Sequence, residues 1–157
     1  MQASNRHKIF VDADACPVRI RDIIAKAAHR HGVESVFVAN KALLLPESPF
    51  LSFEKVSATP DAADQYIEEN AKAGDLVITQ DIPLAALLVP NGIVVIAPRG
   101  MVYSADNIAD LLSRRDLMTE LRDMGETVTR TPPLDETSIR KFASAFDAAV
   151  HALIRRQ

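Results

Sequence analysis

The chain has 157 residues, of which 48% are hydrophobic and 25% are charged, with a formal net charge of −3 at pH 7. This length suits one ordinary domain, and we expect a single domain over residues 1–157 with a C-terminal helical segment from about residue 135. The net negative charge excludes a general attraction to nucleic acid, so a polyanion would need a local basic patch or a bound metal ion. A single cysteine excludes an internal disulfide, and no apolar run predicts a membrane span or signal peptide, so we expect a cytoplasmic protein.

The first informative stretch is an apolar run over residues 9–11 that stops at two carboxylates, Asp12 and Asp14, shortly before Pro17. Such a run predicts a buried parallel strand, and the proline suits the first position of a helix. In open α/β sheets, ligands bind outside the carboxyl ends of the strands. Two carboxylates there repel each other unless a cation or a proton lies between them, so a divalent cation is the natural occupant.

Helical spacing of apolar residues after Pro17 predicts a helix that ends at Gly32. The β-branched and apolar residues 33–39 then predict a second strand, which ends at Asn40. A strand, a helix and another strand in this order predict a parallel pair with a crossover.

A loop leads to a short third strand, expected over residues 53–57. Thr59 and Pro60 then predict the start of a second helix, as its N-cap and its first helical residue. Asp61 and Asp64 are three residues apart, so they share a face near the N-terminus of this helix. Acids in a first turn also stabilise helices, an explanation that fits Asp61 better than Asp64.

The stretch over residues 75–81 repeats the design of the first one. A buried strand is followed by Thr79 and Asp81, and Pro83 then opens a helix whose N-terminus favours an ionised carboxylate. Two interpretations of Thr79 are open. Its hydroxyl could hold a carboxylate or a water molecule in place, or the residue could be an ordinary β-branched strand residue. Arg99 follows a further strand, either as a cation at the carboxyl edge or as a surface arginine.

Two long helices are predicted in the remainder of the chain. Ser104 is expected to cap the first, which carries an apolar stripe and ends at Gly125. A loop over residues 126–133 leads to Asp135, the expected N-cap of the last helix. The apolar stripe of that last helix consists of Ile139, Phe142, Phe146, Val150 and Leu153.

A parallel sheet would bring acids from three strand–helix junctions to one edge, namely Asp12, Asp14, Asp61, Asp64 and Asp81. Oxygen ligands without a histidine or cysteine partner favour Mg²⁺ or Mn²⁺. The four histidines show no zinc-ligand spacing with Cys16, which argues against a zinc site. A metal ion held by carboxylates positions and deprotonates water and neutralises charge on a phosphodiester.

Cys16 stands where a helix N-terminus would favour a thiolate nucleophile. However, the phosphatase loop that pairs a cysteine with an arginine six positions later is absent, because residue 22 is an aspartate. We therefore expect Cys16 to be a small, partly buried residue beside the acids.

Two other functions fit the acids. Asp12 and Asp14 resemble the acid pair of haloacid-dehalogenase-type phosphatases, in which the first aspartate is the nucleophile and the second is the general acid. Against this phosphohydrolase function, Asp75 precedes its strand and cannot share an end with Asp81. The other alternative is a non-catalytic protein that binds metal, RNA or a protein partner.

Five segments resemble the YaiI/YqxD family of bacterial proteins: residues 12–17, 38–40, 74–85, 98–100 with Tyr103, and 115–118. The resemblance spans nearly the whole chain. That family is in turn similar to the PIN-like nuclease superfamily. This similarity implies a three-layer α/β/α sandwich with a mainly parallel sheet, and metal-dependent cleavage of RNA.

The PIN-like similarity also implies roles for individual residues. Asp12 matches the first acid of the superfamily, Asp81 matches the acid of its strand-Thr-x-Asp motif, and Asp64 or Asp61 takes the place of its helical acid. The leading hypothesis is thus an Mg²⁺- or Mn²⁺-dependent endoribonuclease with Asp12, Asp14, Asp64 and Asp81 as catalytic and metal-holding residues. The substrate-binding residues are expected to be Asn40, Thr79, Arg99, Arg114 and Arg115.

Overall fold

A computed structural model describes residues 6–126 and 132–157. The elements are, in chain order, β1 (Ile9–Asp12), α1 (Val18–His31), β2 (Ser35–Ala39), β3 (Leu51–Lys55), α2 (Ala62–Asn70), β4 (Leu76–Ile78), α3 (Ile82–Leu88), a 3₁₀ turn (Val89–Asn91), β5 (Val94–Ile96), β6 (Val102–Tyr103), α4 (Ile108–Asp123) and α5 (Glu136–Arg156).

The strands form one sheet in the order β3-β2-β1-β4-β5-β6. The first five strands in this order pair in parallel, and only β6 runs antiparallel to its neighbour. Because β1 lies between β2 and β4, the residues that follow these three strands meet at the centre of one edge. The predicted α/β architecture with a mainly parallel sheet is confirmed.

Helices cover both faces of the sheet, as in a three-layer α/β/α fold. Alternating side chains of β1 separate the two cores, because Ile9 and Val11 face one side while Phe10 faces the other. The first core contains the apolar faces of α1 and α5. The second contains Ile67 of α2 and Leu84 of α3.

Several predicted boundaries are confirmed. Gly32 ends α1 in the left-handed conformation, with φ of 66°. Asp135 caps α5 by accepting a hydrogen bond from the Ser138 backbone N–H at 2.8 Å. All five apolar residues predicted for the α5 stripe are buried. Pro17 precedes α1 directly instead of being its first residue.

The predicted start of α2 is wrong. Thr59 does not cap the helix, because its hydroxyl lies 2.7 Å from the hydroxyl of Ser57. The helix begins at Ala62, and Asp61 precedes it with a φ of 70°. The helix therefore starts two residues after Pro60, its predicted first residue.

The other differences concern the edges of the fold. The edge strand β3 begins at Leu51, two residues before its predicted start, and β6 was not predicted. Ser104 does not cap α4; its backbone N–H instead donates to the side chain of Asn107, the actual N-cap. No residue of α4 is fully buried; of its apolar stripe, Ile108 and Leu111 are partly buried against the second core, whereas Met118 is exposed.

Most of the predicted loop over residues 126–133 lies outside the described residues. Within the described ranges, no helix combines the length and the hydropathy needed to cross a membrane.

Packing of α5 against the sheet predicts a large difference between two identical substitutions. Leu153 is fully buried, whereas the Leu44 side chain is 99% exposed. We expect Leu153→Ala to lower the free energy of unfolding by about 2–5 kcal/mol, because it leaves a cavity. Leu44→Ala should change it by no more than about 0.5 kcal/mol. Urea denaturation measures both, and similar losses would contradict the described packing.

Candidate active site

Thr79 joins the carboxyl ends of the two central strands. It follows β4 directly and is fully buried. Its hydroxyl donates to Oδ2 of Asp12, the last residue of β1, at 2.8 Å. The same hydroxyl accepts a hydrogen bond from the Asp81 backbone N–H at 3.0 Å. One side chain therefore fixes both the Asp12 carboxylate and the backbone that carries Asp81.

Asp81 is the N-cap of α3. Its Oδ1 accepts a hydrogen bond from the Leu84 backbone N–H at 2.9 Å. Such caps satisfy a backbone donor that has no partner within the helix. The repeated strand-acid-helix pattern thus has the physical basis expected from the sequence.

Asp14 connects the turn after β1 to the end of β2. Its Oδ2 accepts a hydrogen bond from the backbone N–H of Asn40 at 2.8 Å. Because Asn40 directly follows β2, this bond aligns the two crossover loops at the edge of the sheet.

The α2 helix forms the third side of the site and carries Asp64 in its first turn. Asp61 before it adopts a left-handed conformation, which aspartate tolerates better than most residues. Of the α2 residues, only Ile67 is fully buried, so this side chain is the main anchor of the helix on the sheet.

These acids surround a cavity of about 210 Å³. Five aspartates line it, and no lysine, arginine or histidine among the described residues does so. Its lining residues are Asp12, Asp14, Asn40, Val56, Ser57, Ala58, Thr59, Pro60, Asp61, Ala62, Ala63, Asp64 and Asp81. The structure thus brings together all five acids proposed from the sequence.

Burial and mutual repulsion disfavour the ionised forms of two of these acids. Burial raises the pKa of Asp12; the Thr79 hydrogen bond opposes this shift, while the charges of Asp81 and Asp14 add to it. Burial also raises the pKa of Asp64 to about 7, together with a hydrogen bond to Asp81 and the charges of Asp81, Asp12 and Asp61. A cation among these carboxylates would relieve this repulsion.

A second cavity, of about 280 Å³, adjoins the first because Asp12 and Asp81 line both. It also contains Gln80 and Arg115. The two shared aspartates therefore lie between a space lined by carboxylates and a space that Arg115 also lines.

Two of the arginines proposed as substrate contacts lie outside both cavities. Arg114 pairs with Asp110 on α4 at 3.2 Å. Arg99 donates a hydrogen bond to the backbone carbonyl of Pro132. Of the proposed arginines, only Arg115 is near Asp12 and Asp81.

Oxygen donors without nitrogen or sulfur suit Mg²⁺ or Mn²⁺, so the chemistry of the first cavity fits these ions. Asp12, Asp14, Asp64 and Asp81 come from three separate segments of the chain and surround the same space. Among the described residues, no three of their carboxylate oxygens lie within 4.8 Å of one another. For three of these carboxylates to bind one metal ion, their side chains must therefore move closer to one another.

Cys16 and Asp75 are separate from the chemistry of the site. Cys16 is buried, and this burial raises the pKa of its thiol to about 12, so it is a protonated packing residue near neutral pH. Asp75 lies at the amino end of β4, where its carboxylate accepts hydrogen bonds from the backbone N–H groups of Lys8 and Lys72. It cannot form an acid pair with Asp81.

Two residues at this edge were not among the predicted site residues. Gln80 lines the second cavity, and its position between Thr79 and Asp81 was the available signal. Tyr103 is buried, and burial together with the charge of Asp81 raises the pKa of its phenol to about 12. Its placement depends on β6, which no local pattern indicated.

Comparisons with known proteins give consistent matches. The model of the family described as "Uncharacterized BCR, YaiI/YqxD family" matches residues 10–152. The chain is 47% identical to a UPF0178 protein of Myxococcus xanthus over 150 residues, covering 96% of this chain and 98% of that protein. It is 49% identical to one of Desulfotalea psychrophila over 140 residues, covering 89% and 95%, respectively. No solved structure matches the chain significantly.

The raised pKa of Asp64 predicts a specific pH dependence of stability. The folded state holds a proton on this carboxyl up to about pH 7, whereas the usual pKa is 3.8. The folded state thus binds more protons between these values, and the contribution of Asp64 to stability falls as pH rises through this window. Asp64→Asn should remove this contribution, so the variant should gain stability relative to the natural chain as pH rises.

Urea denaturation without divalent cations, at several pH values from 4 to 8, measures this effect. Glu68→Gln is the matched control, because it removes an exposed carboxylate from the same helix that is not among the causes of the raised pKa of Asp64. A constant stability difference between Asp64→Asn and the natural chain across this range would contradict the prediction.

Proposed function

The chain belongs to the YaiI/YqxD family, and we propose that it is an Mg²⁺- or Mn²⁺-dependent nuclease that hydrolyses phosphodiester bonds in RNA. The observation that carries this proposal is the cavity at the carboxyl edge of the sheet. Aspartates from three separate segments of the chain line it, and no basic side chain among the described residues does. The choice of RNA as substrate rests on the resemblance to the PIN-like superfamily.

Asp12, Asp14, Asp64 and Asp81 would hold the metal, with Asp61 as a further oxygen donor at the same cavity. A bound Mg²⁺ or Mn²⁺ would neutralise charge on the phosphodiester and favour deprotonation of the attacking water. Asp12 and Asp81 are held in place by Thr79 and by the Leu84 backbone N–H, respectively. Fixed carboxylates of this kind favour binding because they lose little conformational freedom.

The second cavity supplies the complementary group for the substrate. Arg115 lies there beside Asp12 and Asp81, and a guanidinium can donate two parallel hydrogen bonds to phosphate oxygens. We propose that the scissile phosphate binds between the carboxylate-lined cavity and Arg115. The Gln80 side chain adds a neutral hydrogen-bonding group on the same wall.

The test is cleavage of a fluorescently labelled single-stranded RNA by the purified protein with Mn²⁺. We expect Asp12→Asn and Asp81→Asn each to lower kcat/KM by at least about a hundredfold, because each removes a metal-holding carboxylate. Asp123→Asn is the control, since Asp123 is exposed at the end of α4 and lines neither cavity. Cleavage that survives both site substitutions would refute the nuclease proposal.

Two further measurements separate the alternatives. An aspartyl-phosphate trapped on Asp12 during turnover of a phosphomonoester would instead support a phosphohydrolase. A rise in melting temperature with Mn²⁺ without cleavage of any phosphoester would support a metal-binding protein without catalysis.

Arg115 and Arg114 offer a matched pair for the substrate contact. They are neighbours on α4, but only Arg115 lines the cavity that contains Asp12 and Asp81. We expect Arg115→Ala to lower kcat/KM roughly tenfold or more, the equivalent of one hydrogen bond to a charged group. Arg114→Ala should leave kcat/KM nearly unchanged, and equal losses in steady-state kinetics would contradict the specific role of Arg115.

A further inference from the structure

A second group of potential metal ligands lies on the face of the sheet covered by α1 and α5. His31 is the last residue of α1, and Asp147 and His151 lie one turn apart on α5. A ligand atom from each of these three side chains lies within 4.8 Å of the other two. Among the described residues, this is the one such group of three or more.

Packing of the two helices brings these residues together. Phe146 and Val150 of α5 are buried in the same core as Ile24 and Ala27 of α1. The residues that follow them on α5, Asp147 and His151, therefore lie at the border of the helix interface, beside the end of α1. The rings of His31 and His151 meet edge to face with centroids 5.3 Å apart, and His151 Nδ1 lies 3.5 Å from Asp147 Oδ2.

The charges next to the ligands themselves favour a positive ion, although Lys26 and Arg30 line the adjoining cavity. The C-terminus of α1 carries the partial negative charge of the helix dipole, and Asp147 adds a full one. The side chains of Asp147 and His151 are 60% and 49% exposed, so an ion can reach them from solvent. His31 and Asp147 also line an open cavity of about 500 Å³.

We propose that His31, Asp147 and His151 form a binding site for a divalent transition-metal ion such as Zn²⁺. Two imidazoles and one carboxylate are typical zinc ligands, whereas Mg²⁺ prefers oxygen donors alone. Tetrahedral ligands about 2.0–2.1 Å from zinc lie roughly 3.4 Å apart, so small side-chain rotations complete the site. Water takes the remaining coordination position.

The bound ion would connect α1 to α5 and stabilise the folded chain. Binding of this ion would not involve the aspartate site, because none of the ion's three ligands lines either of the cavities beside Asp12. The histidines show no zinc-ligand spacing with Cys16, and this group was not predicted from the sequence. Asp147 and His151 are visible as an i, i+4 pair, whereas the contribution of His31 depends on the fold.

Calorimetric titration of ZnCl₂ into the full, tag-free chain with excess Mg²⁺ present tests the proposal. We expect one zinc ion per chain at this site, and at a free Zn²⁺ concentration about 100 times the Kd, the melting temperature should rise by roughly 5–10 °C. His31→Ala and His151→Ala should each weaken Zn²⁺ binding at least about tenfold and reduce the shift in melting temperature at the same Zn²⁺ concentration.

The matched control is His29→Ala. His29 lies in the same last turn of α1, but its ring hydrogen-bonds to the Ser48 hydroxyl and is not part of the group. This variant should bind Zn²⁺ as the natural chain does, and circular dichroism verifies the fold of all three variants. Unchanged binding in both site variants would overturn the proposal, as would loss of binding in Asp81→Asn instead.

Discussion

The hydrogen bonds of the Thr79 hydroxyl are the interaction on which the candidate active site depends. They are possible because Val11 pairs with Ile78 in parallel register, which places the end of β1 beside the residue after β4. A slip of one residue would turn every side chain of the strand to the opposite face. The apolar alternation that separates the two cores therefore also determines that Asp12 meets Thr79. Core packing and site geometry thus depend on the same register.

The acids at this edge weaken the fold locally. Desolvation and mutual repulsion raise the pKa of Asp12 and Asp64, so part of the folding free energy is lost in keeping these carboxylates together near neutral pH. Stability alone would favour neutral or basic side chains at such positions. Conflicts of this kind are expected where a protein must bind a charged ligand, because ligand binding then compensates for the repulsion.

Local patterns predicted the centre of the fold better than its periphery. The central strands, the stop of α1 at Gly32 and the cap of α5 at Asp135 follow from short apolar runs and specific terminal residues, which act within a few residues of chain. The start of α2 was missed because it depends on the left-handed conformation of Asp61. The position of five acids around one cavity was predictable because each acid follows or precedes such a local signal. The position of Arg115 beside these acids could not be predicted from the sequence, because it depends on how α4 packs.

The weak attachment of α2 has a consequence for motion at this edge. The strand ends that carry Asp12 and Thr79 belong to the centre of the sheet, whereas Ile67 is the only fully buried residue of α2. Local opening costs least where few apolar side chains are buried, so backbone amides of α2 should exchange with solvent faster than those of β1 and β4. One side of the acid cluster is therefore rigid and the other can open by itself. Entry and release of the proposed metal ion at Asp64 would therefore not need to disturb the sheet.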